Sequence, residues 1–322
     1  MNTLSPARWE AARQWLYTHG RALDQRLYEY IFEQGPADAV LAALAAYQNE
    51  DGGFGHGLEP DIRTPASSVI ATTQAFAILR RLGAAPSEPL VQRGIVYFLA
   101  HYDAERRRWP IVPPAVEDAP HAPWWTYAAG ETNFNHFWFN PTAEVLGYLY
   151  DYPDLSPAGL RAEVFDALVM RMAAQADPLE MHDLLCLIAL SESDGLSDKQ
   201  RSQVEARVRR AIPATVVQEP AQWAQYGLTP LQVAPTPDAR FADRLDPQVI
   251  EAQLDWWLET QLEEGVWPLP WSWAQVDPEA WAEAERAWQS RLLVERLATL
   301  AAYGRIAPSP SPYQSATLLS PG

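Results

Sequence analysis

The chain has 322 residues with 24 basic and 41 acidic side chains, a formal net charge of −17. That balance argues against a nucleic-acid partner, because a phosphate backbone needs a basic face. Hydrophobic residues make up 48% and charged residues 20%, enough to bury a large core, and the single cysteine, Cys186, excludes an intramolecular disulfide and a multi-cysteine metal cluster.

Taken in chain order, helix starts are marked by a capping residue followed by proline. The side-chain oxygen satisfies an orphan amide, and proline at the first helical position loses no hydrogen bond. Ser5-Pro6 opens an amphipathic run to His19, with no basic-then-apolar leader pattern before it. Runs over Ala22–Glu33 and Pro36–Tyr47 follow, then a start at Thr64-Pro65, and a run capped by Ser87 through Phe98 that reaches Tyr102. Asn140-Pro141, Ser156-Pro157 and Asp177-Pro178 mark three more starts, and Ser197 with Gln200 makes a capping box before Val204–Ile212. Asp246-Pro247 opens a run to Thr260, and Asp277-Pro278 opens the last helix. No segment alternates with the two-residue period of a half-buried strand, so the expectation is an all-α fold of ten or eleven helices. Two connectors are long, Trp109 to Phe139 and Pro213 to Leu245, and loops of that length are usually functional. The expected division is one domain over residues 1–304 and a Pro/Ser-rich flexible tail over 305–322. No apolar run is long enough to span a bilayer, so a cytoplasmic protein without integral membrane insertion is expected.

One pattern recurs. Gln48-Asn-Glu-Asp-Gly-Gly-Phe54 returns 213 residues later as Gln261-Leu-Glu-Glu-Gly-Val-Trp267, each after a helical run. A degenerate third copy spans His101 to Trp109, with the glutamine lost and one residue inserted. The turn has a physical logic: polar side chains bond free backbone groups at the helix end, glycine supplies a positive φ, and the aromatic fills a gap. These turns resemble the Q-W motifs of the squalene–hopene cyclase and protein prenyltransferase superfamily, whose members build a toroid of paired helices. The resemblance implies a terpenoid-cyclase-like α/α toroid of about six helix pairs, in the usual range of repeat lengths. The stretch Asp51 to Ser68 is also similar to bacterial prenyltransferase or squalene oxidase repeat proteins.

Three segments compete to carry chemistry. The first holds His56, Glu59, Asp61 and Arg63, four ionisable residues in eight positions, in a loop stiffened by Pro60 and Pro65 and loosened by Gly55 and Gly57. Here Arg63 either contacts an anionic ligand or pairs with Glu59 or Asp61 to brace the loop. The second is Trp124 to Asn140, where Trp124, Trp125, Tyr127, Phe134 and Trp138 surround Glu131, Asn133, Asn135 and His136. Aromatic walls with a few polar groups suit an apolar ligand, a carbocation or a sugar ring, or else simply tack a loop down. The third is Glu180 to Cys186, where His182 and Cys186 share a helical face; zinc is conceivable, but a buried cysteine beside a hydrogen-bonded histidine is the better reading.

The chain lacks the Asp-x-Asp-Asp motif with which class II terpene cyclases protonate a double bond, the aspartate-rich pyrophosphate motifs, and the Asp-x-Cys zinc pair of the prenyltransferases. No cofactor or metal is expected. The leading expectation is a toroid protein acting by acid catalysis on an isoprenoid-like apolar small molecule. Asp61 or Glu59 would be the acid and His56 its orienting partner, with Arg63, the aromatics and the polar residues from Glu131 to His136 binding substrate. The alternatives are a carbohydrate-active enzyme on a similar scaffold, using Glu131 or Glu144 with Glu59 or Asp61, and a non-catalytic binding or scaffold protein.

Overall fold

The computed structural model of the chain describes residues 2–128, 131–132 and 138–307, with the backbone alone for Ala128, Glu131 and Thr132. Twelve α-helices lie among the described residues: α1 Pro6–His19, α2 Ala22–Phe32, α3 Ala37–Ala45, α4 Val69–Arg81, α5 Pro89–Ala100, α6 Phe139–Asp151, α7 Ala158–Ala174, α8 Met181–Ser191, α9 Asp198–Thr215, α10 Pro230–Val233, α11 Pro247–Thr260 and α12 Pro278–Ala302. The extended structure named beside them is one pairing of two-residue strands, β1 Tyr127–Ala128 with β2 Glu131–Thr132. The all-α expectation holds, and no described helix is long and apolar enough to cross a membrane.

The chain divides into two compact units, residues up to Ala46 with those from Val217 onward, and Tyr47–Val216. In the first, α2 packs on α3, α12 on α1 and α2, and α10 on α11. In the second, α6 is the hub, packing most extensively on α8 and also on α4 and α7, while α8 packs on α9. α6 is apolar enough for this role: eleven of its residues are buried, among them Phe139, Leu146 and Tyr148.

Side chains cap most helix starts, but α2, α3, α6 and α7 have no such cap. Neither Asn140 nor Ser156 therefore caps a helix, and Ser156 donates to Leu149 O at 2.9 Å instead. Ser5, Asp246 and Asp277 accept amides of the first turn, and Ser197 and Gln200 form the expected capping box. Thr64 does not open a helix: its hydroxyl accepts from Ala66, and α4 begins four residues later behind Ser68, which accepts from Ala71. Asp177 is held by Arg207 at 2.6 Å and Arg210 at 3.2 Å, so Glu180 caps α8 instead. Glu88 rather than Ser87 caps α5. Within the long connector after Pro213, Thr229 and Gln232 form a capping box on the short α10. The packed chain also runs past residue 304. Arg305 is buried, and Ala307 donates its N–H to Leu4 O at 3.0 Å, so residues 305–307 belong to the packed chain.

The repeated turn is the same object in each unit. Gln48 Nε2 donates to Gly52 O at 2.9 Å, and Gln261 Nε2 donates to Gly265 O at 2.9 Å. Asn49 N–H bonds Gly53 O at 2.9 Å, and Leu262 N–H bonds Val266 O at 2.8 Å. Gly52 and Gly265 take φ of 88° and 96°, the left-handed region that glycine enters freely. Phe54 and Trp267 are buried at 0% and 2% exposure. The degenerate third copy keeps this plan. Trp109 is buried and its indole N–H donates to Phe98 O at 2.6 Å, as Trp267 donates to Trp257 O at 2.7 Å. With its one inserted residue, Asp103 and Arg108 pair where Leu262 and Val266 do, and Arg107 takes a φ of 53° in the place of Gly265.

Candidate functional site

The acid loop grows out of the first turn. Gly55 lies so close to the backbone of Pro65 and Ala66 that a Cβ would fall 2.4 Å from their carbonyl oxygens, which folds residues 55–65 back on themselves. Glu59 and Asp61 are buried at 4% and 3% exposure, and the Asp61 N–H faces Glu59 Oε1 at 3.4 Å. Gln74 of α4 donates its amide to Glu59 Oε2. The Arg63 guanidinium passes over Gly57, 2.8 Å from where a Cβ would stand, and the φ of 73° favours glycine at that position. His56 is exposed, and its Nε2 lies 2.8 Å from Asn49 Oδ1.

Backbone pairing then brings the first two predicted segments together. Arg63 N–H bonds Pro120 O at 3.0 Å, Ala122 N–H bonds Asp61 O at 2.9 Å, and Ile62 bridges His121. The acid loop is thereby clamped to the strand of chain that leads into Trp124, Trp125 and Tyr127. Trp125 is buried, and Trp124 and Tyr127 are half-buried. Trp138 contacts a different set: it meets Phe139 edge-on, donates to Arg106 O at 3.4 Å and carries the Arg171 guanidinium over its ring at 5.0 Å. Asn133, Phe134, Asn135 and His136 lie outside the described residues, as does the side chain of Glu131.

The third segment forms a polar seam between α6 and α8. Asp183 is fully buried, and its Oδ1 accepts the Asn140 N–H at 2.7 Å while Oδ2 has no hydrogen-bond partner. Burial pushes its carboxyl up from 3.8 to about 7, against the pull of the Asn140 and Phe139 amides. Cys186 is buried one turn further on, with its Sγ 3.8 Å from Asn140 Oδ1 and 3.9 Å from Glu144 Oε2. Burial first, and Glu144 second, push its thiol well up, so it stays protonated and is no nucleophile. Glu144 accepts from Tyr148 OH at 2.7 Å, and that hydroxyl also lies 3.2 Å from Thr73 O on α4. Since Thr73 adjoins Gln74, α4 joins the seam to the acid loop. His182 is not directed at Cys186. Its Nδ1 sits 2.7 Å from Glu180 Oε1, and that pair, opposed by burial, holds the Glu180 carboxyl below its usual range. The better of the two sequence readings of this segment fits: a buried cysteine and a tethered histidine.

Gln74 and Tyr148 carry no signal in the sequence, and Asn140 reads there only as a helix start closing the aromatic segment. Each is a long-range partner, 15 to 43 residues from Glu59 or Asp183 or two helices away, and no local pattern marks such a pairing. Among the described residues, no group of three or more His, Cys, Asp and Glu side chains could hold a metal ion. No family model, characterised protein or solved structure matches this chain.

Proposed function

We propose that this chain is a helical-repeat protein of the squalene–hopene cyclase and protein prenyltransferase type, closing into an α/α toroid. Its Glu59–Asp61 pair performs acid chemistry on an apolar, isoprenoid-like small molecule, with Trp124, Trp125 and Tyr127 contributing to the ligand wall. The repeat reading is supported by the recurring turn: the copies at Phe54 and Trp267 share the glutamine-to-carbonyl bond, and those at Trp109 and Trp267 share the indole bond to the preceding helix.

The chemical reading is carried by one observation: two carboxylates two residues apart, at 4% and 3% exposure, in a loop clamped to the aromatic segment. Taking carboxylates out of water costs free energy that their partners must offset, and ionisable groups held in this way cluster at functional sites. The bond from His56 goes to Asn49, so the acid role rests on Glu59 and Asp61, with Gln74 fixing the Glu59 carboxylate.

Native mass spectrometry of the purified protein, alone and after incubation with isoprenoids, tests the reading beside thermal melts. Asp61→Asn and Glu59→Gln should lose the ligand or its turnover while melting at or above the parent temperature. Severe destabilisation by either isosteric change, with ligand retained, identifies a structural brace between Arg63 and its acids and ends the proposal.

A further inference from the structure

The third copy of the turn differs from its sisters in one respect that packing does not require. Where they carry Asp51-Gly52-Gly53 and Glu264-Gly265-Val266, it carries Arg106-Arg107-Arg108. Arg107 therefore holds a φ of 53° in the place where Gly52 and Gly265 hold 88° and 96°. A side chain with a Cβ is disfavoured in that region, and such an outlier persists where something else over-determines it.

These three arginines line a groove of about 690 Å³ together with Glu105, Trp138, Ala167, Met170 and Arg171. That volume lies within the range of small-ligand sites. The groove is built rather than incidental. Arg171 is stacked over the buried Trp138 ring at 5.0 Å, which fixes its guanidinium, and the Trp138 indole is tied to Arg106 O. Two acids offset the charge at the rim: Asp103 holds Arg106 at 3.0 Å and Glu163 faces Arg107 at 3.5 Å. A guanidinium has five N–H donors in a fixed fork, so the single contact with Glu163 leaves Arg107 donors for a second oxyanion. Met170, 60% exposed, offers an apolar shelf beside them.

We propose that this groove binds a small organic phosphate, its oxyanion held by Arg107 and Arg171 with Arg106 and Arg108 alongside, and its carbon skeleton lying against Met170. A tetrahedral oxyanion accepts from several converging guanidiniums at once, and charge-assisted bonds of that kind are the strong ones. In a chain of net charge −17, a groove lined by four arginines gives such an anion a local place to bind.

Isothermal titration calorimetry of the full chain with inorganic pyrophosphate, at low and high salt and with citrate as the carboxylate comparison, tests this. Arg107→Gly removes the guanidinium and relieves the positive φ. Pyrophosphate binding should weaken about tenfold or more in Arg107→Gly and in Arg171→Met. It should also weaken at high salt. Arg107→Gly should melt no lower than the parent, because the exposed pair it gives up with Glu163 is worth little. Arg286→Ala, an exposed arginine on α12, should bind as the parent does. Undiminished binding in both groove variants, an equal loss in Arg286→Ala, preference for citrate, or no binding by the parent each overturns the proposal.

Discussion

Replacing Asp183 with asparagine should change how stability depends on pH. The carboxyl is fully buried and pushed up from 3.8 to about 7. A group whose folded value lies above its unfolded value binds more protons in the native state between the two. The stability it contributes is present below about pH 4 and is lost as pH rises through about 7. A displacement of roughly three units at about 1.4 kcal/mol each sets a ceiling of about 4 kcal/mol, and relaxation around the charge brings the expected figure to about 2–4 kcal/mol. Asparagine keeps the acceptor for the Asn140 N–H but puts an amide where Oδ2 has no partner, a fixed cost of about 1 kcal/mol. The variant should therefore be close to the parent in stability near pH 5, where about 1.5 kcal/mol of the parent's advantage has already gone, and about 1–3 kcal/mol more stable near pH 8. Urea unfolding at both pH values reads this directly, provided the m-values agree. The Glu180 carboxylate, held low, stays ionised in both proteins between these two pH values, so its own titration contributes little to the difference. Parallel pH profiles for parent and variant refute a protonated Asp183.

Trp267→Ala should cost about 3–5 kcal/mol by denaturant unfolding, because the ring is buried, its N–H bonds Trp257 O and Arg296 lies over it at 5.4 Å; a cost below about 1 kcal/mol refutes the gap-filling role. Gly265→Ala should cost about 2–4 kcal/mol, since its Cβ would fall 2.2 Å from Ala12 N at a φ of 96°. Gly83→Ala, at a φ of 61° with nothing within 4 Å, should cost only about 1 kcal/mol; equal effects in the two melts refute the close-approach reading. Truncation after Ala307 should leave the melting temperature within about two degrees. Arg305→Met should lower stability by about 2 kcal/mol, because a buried guanidinium then deserts Asn2 O, Glu251 and Asp255, two acids that are about half exposed and so recover some hydration.

Local rules carried the sequence reading as far as local physics reaches. Ser5, Ser197, Asp246 and Asp277 cap helices because nothing else competes for their oxygens. Asp177 and Thr64 carry the same signal and do not open helices, since Arg207 and Arg210 claim the first and a turn to Ala66 claims the second. A capping motif states what a side chain can do; the long-range partners decide what it does. The site divides in the same way. Burial of Glu59 and Asp61 beside the 120–127 segment follows a clustering visible in the sequence, whereas the Glu59–Gln74 contact and the Asp183–Asn140 bond join positions that only folding brings together.

The turn goes furthest because it is nearly self-contained. Its bonds run between residues at most eleven apart: side-chain amide to carbonyl in the two full copies, and indole to the preceding helix in the two copies that end in tryptophan. The turn and the last residues of the helix before it therefore suffice to specify it, and it survives in two units whose helices differ. Its one conformational demand is the positive φ, which glycine meets at little cost and Arg107 meets at about 1–2 kcal/mol. Natural sequences break a local rule of this kind where another requirement outweighs it. The same comparison that makes Gly52 and Gly265 architectural thus makes Arg107 informative. Restoring glycine there should raise stability, and what the protein loses in exchange identifies what the arginine is for.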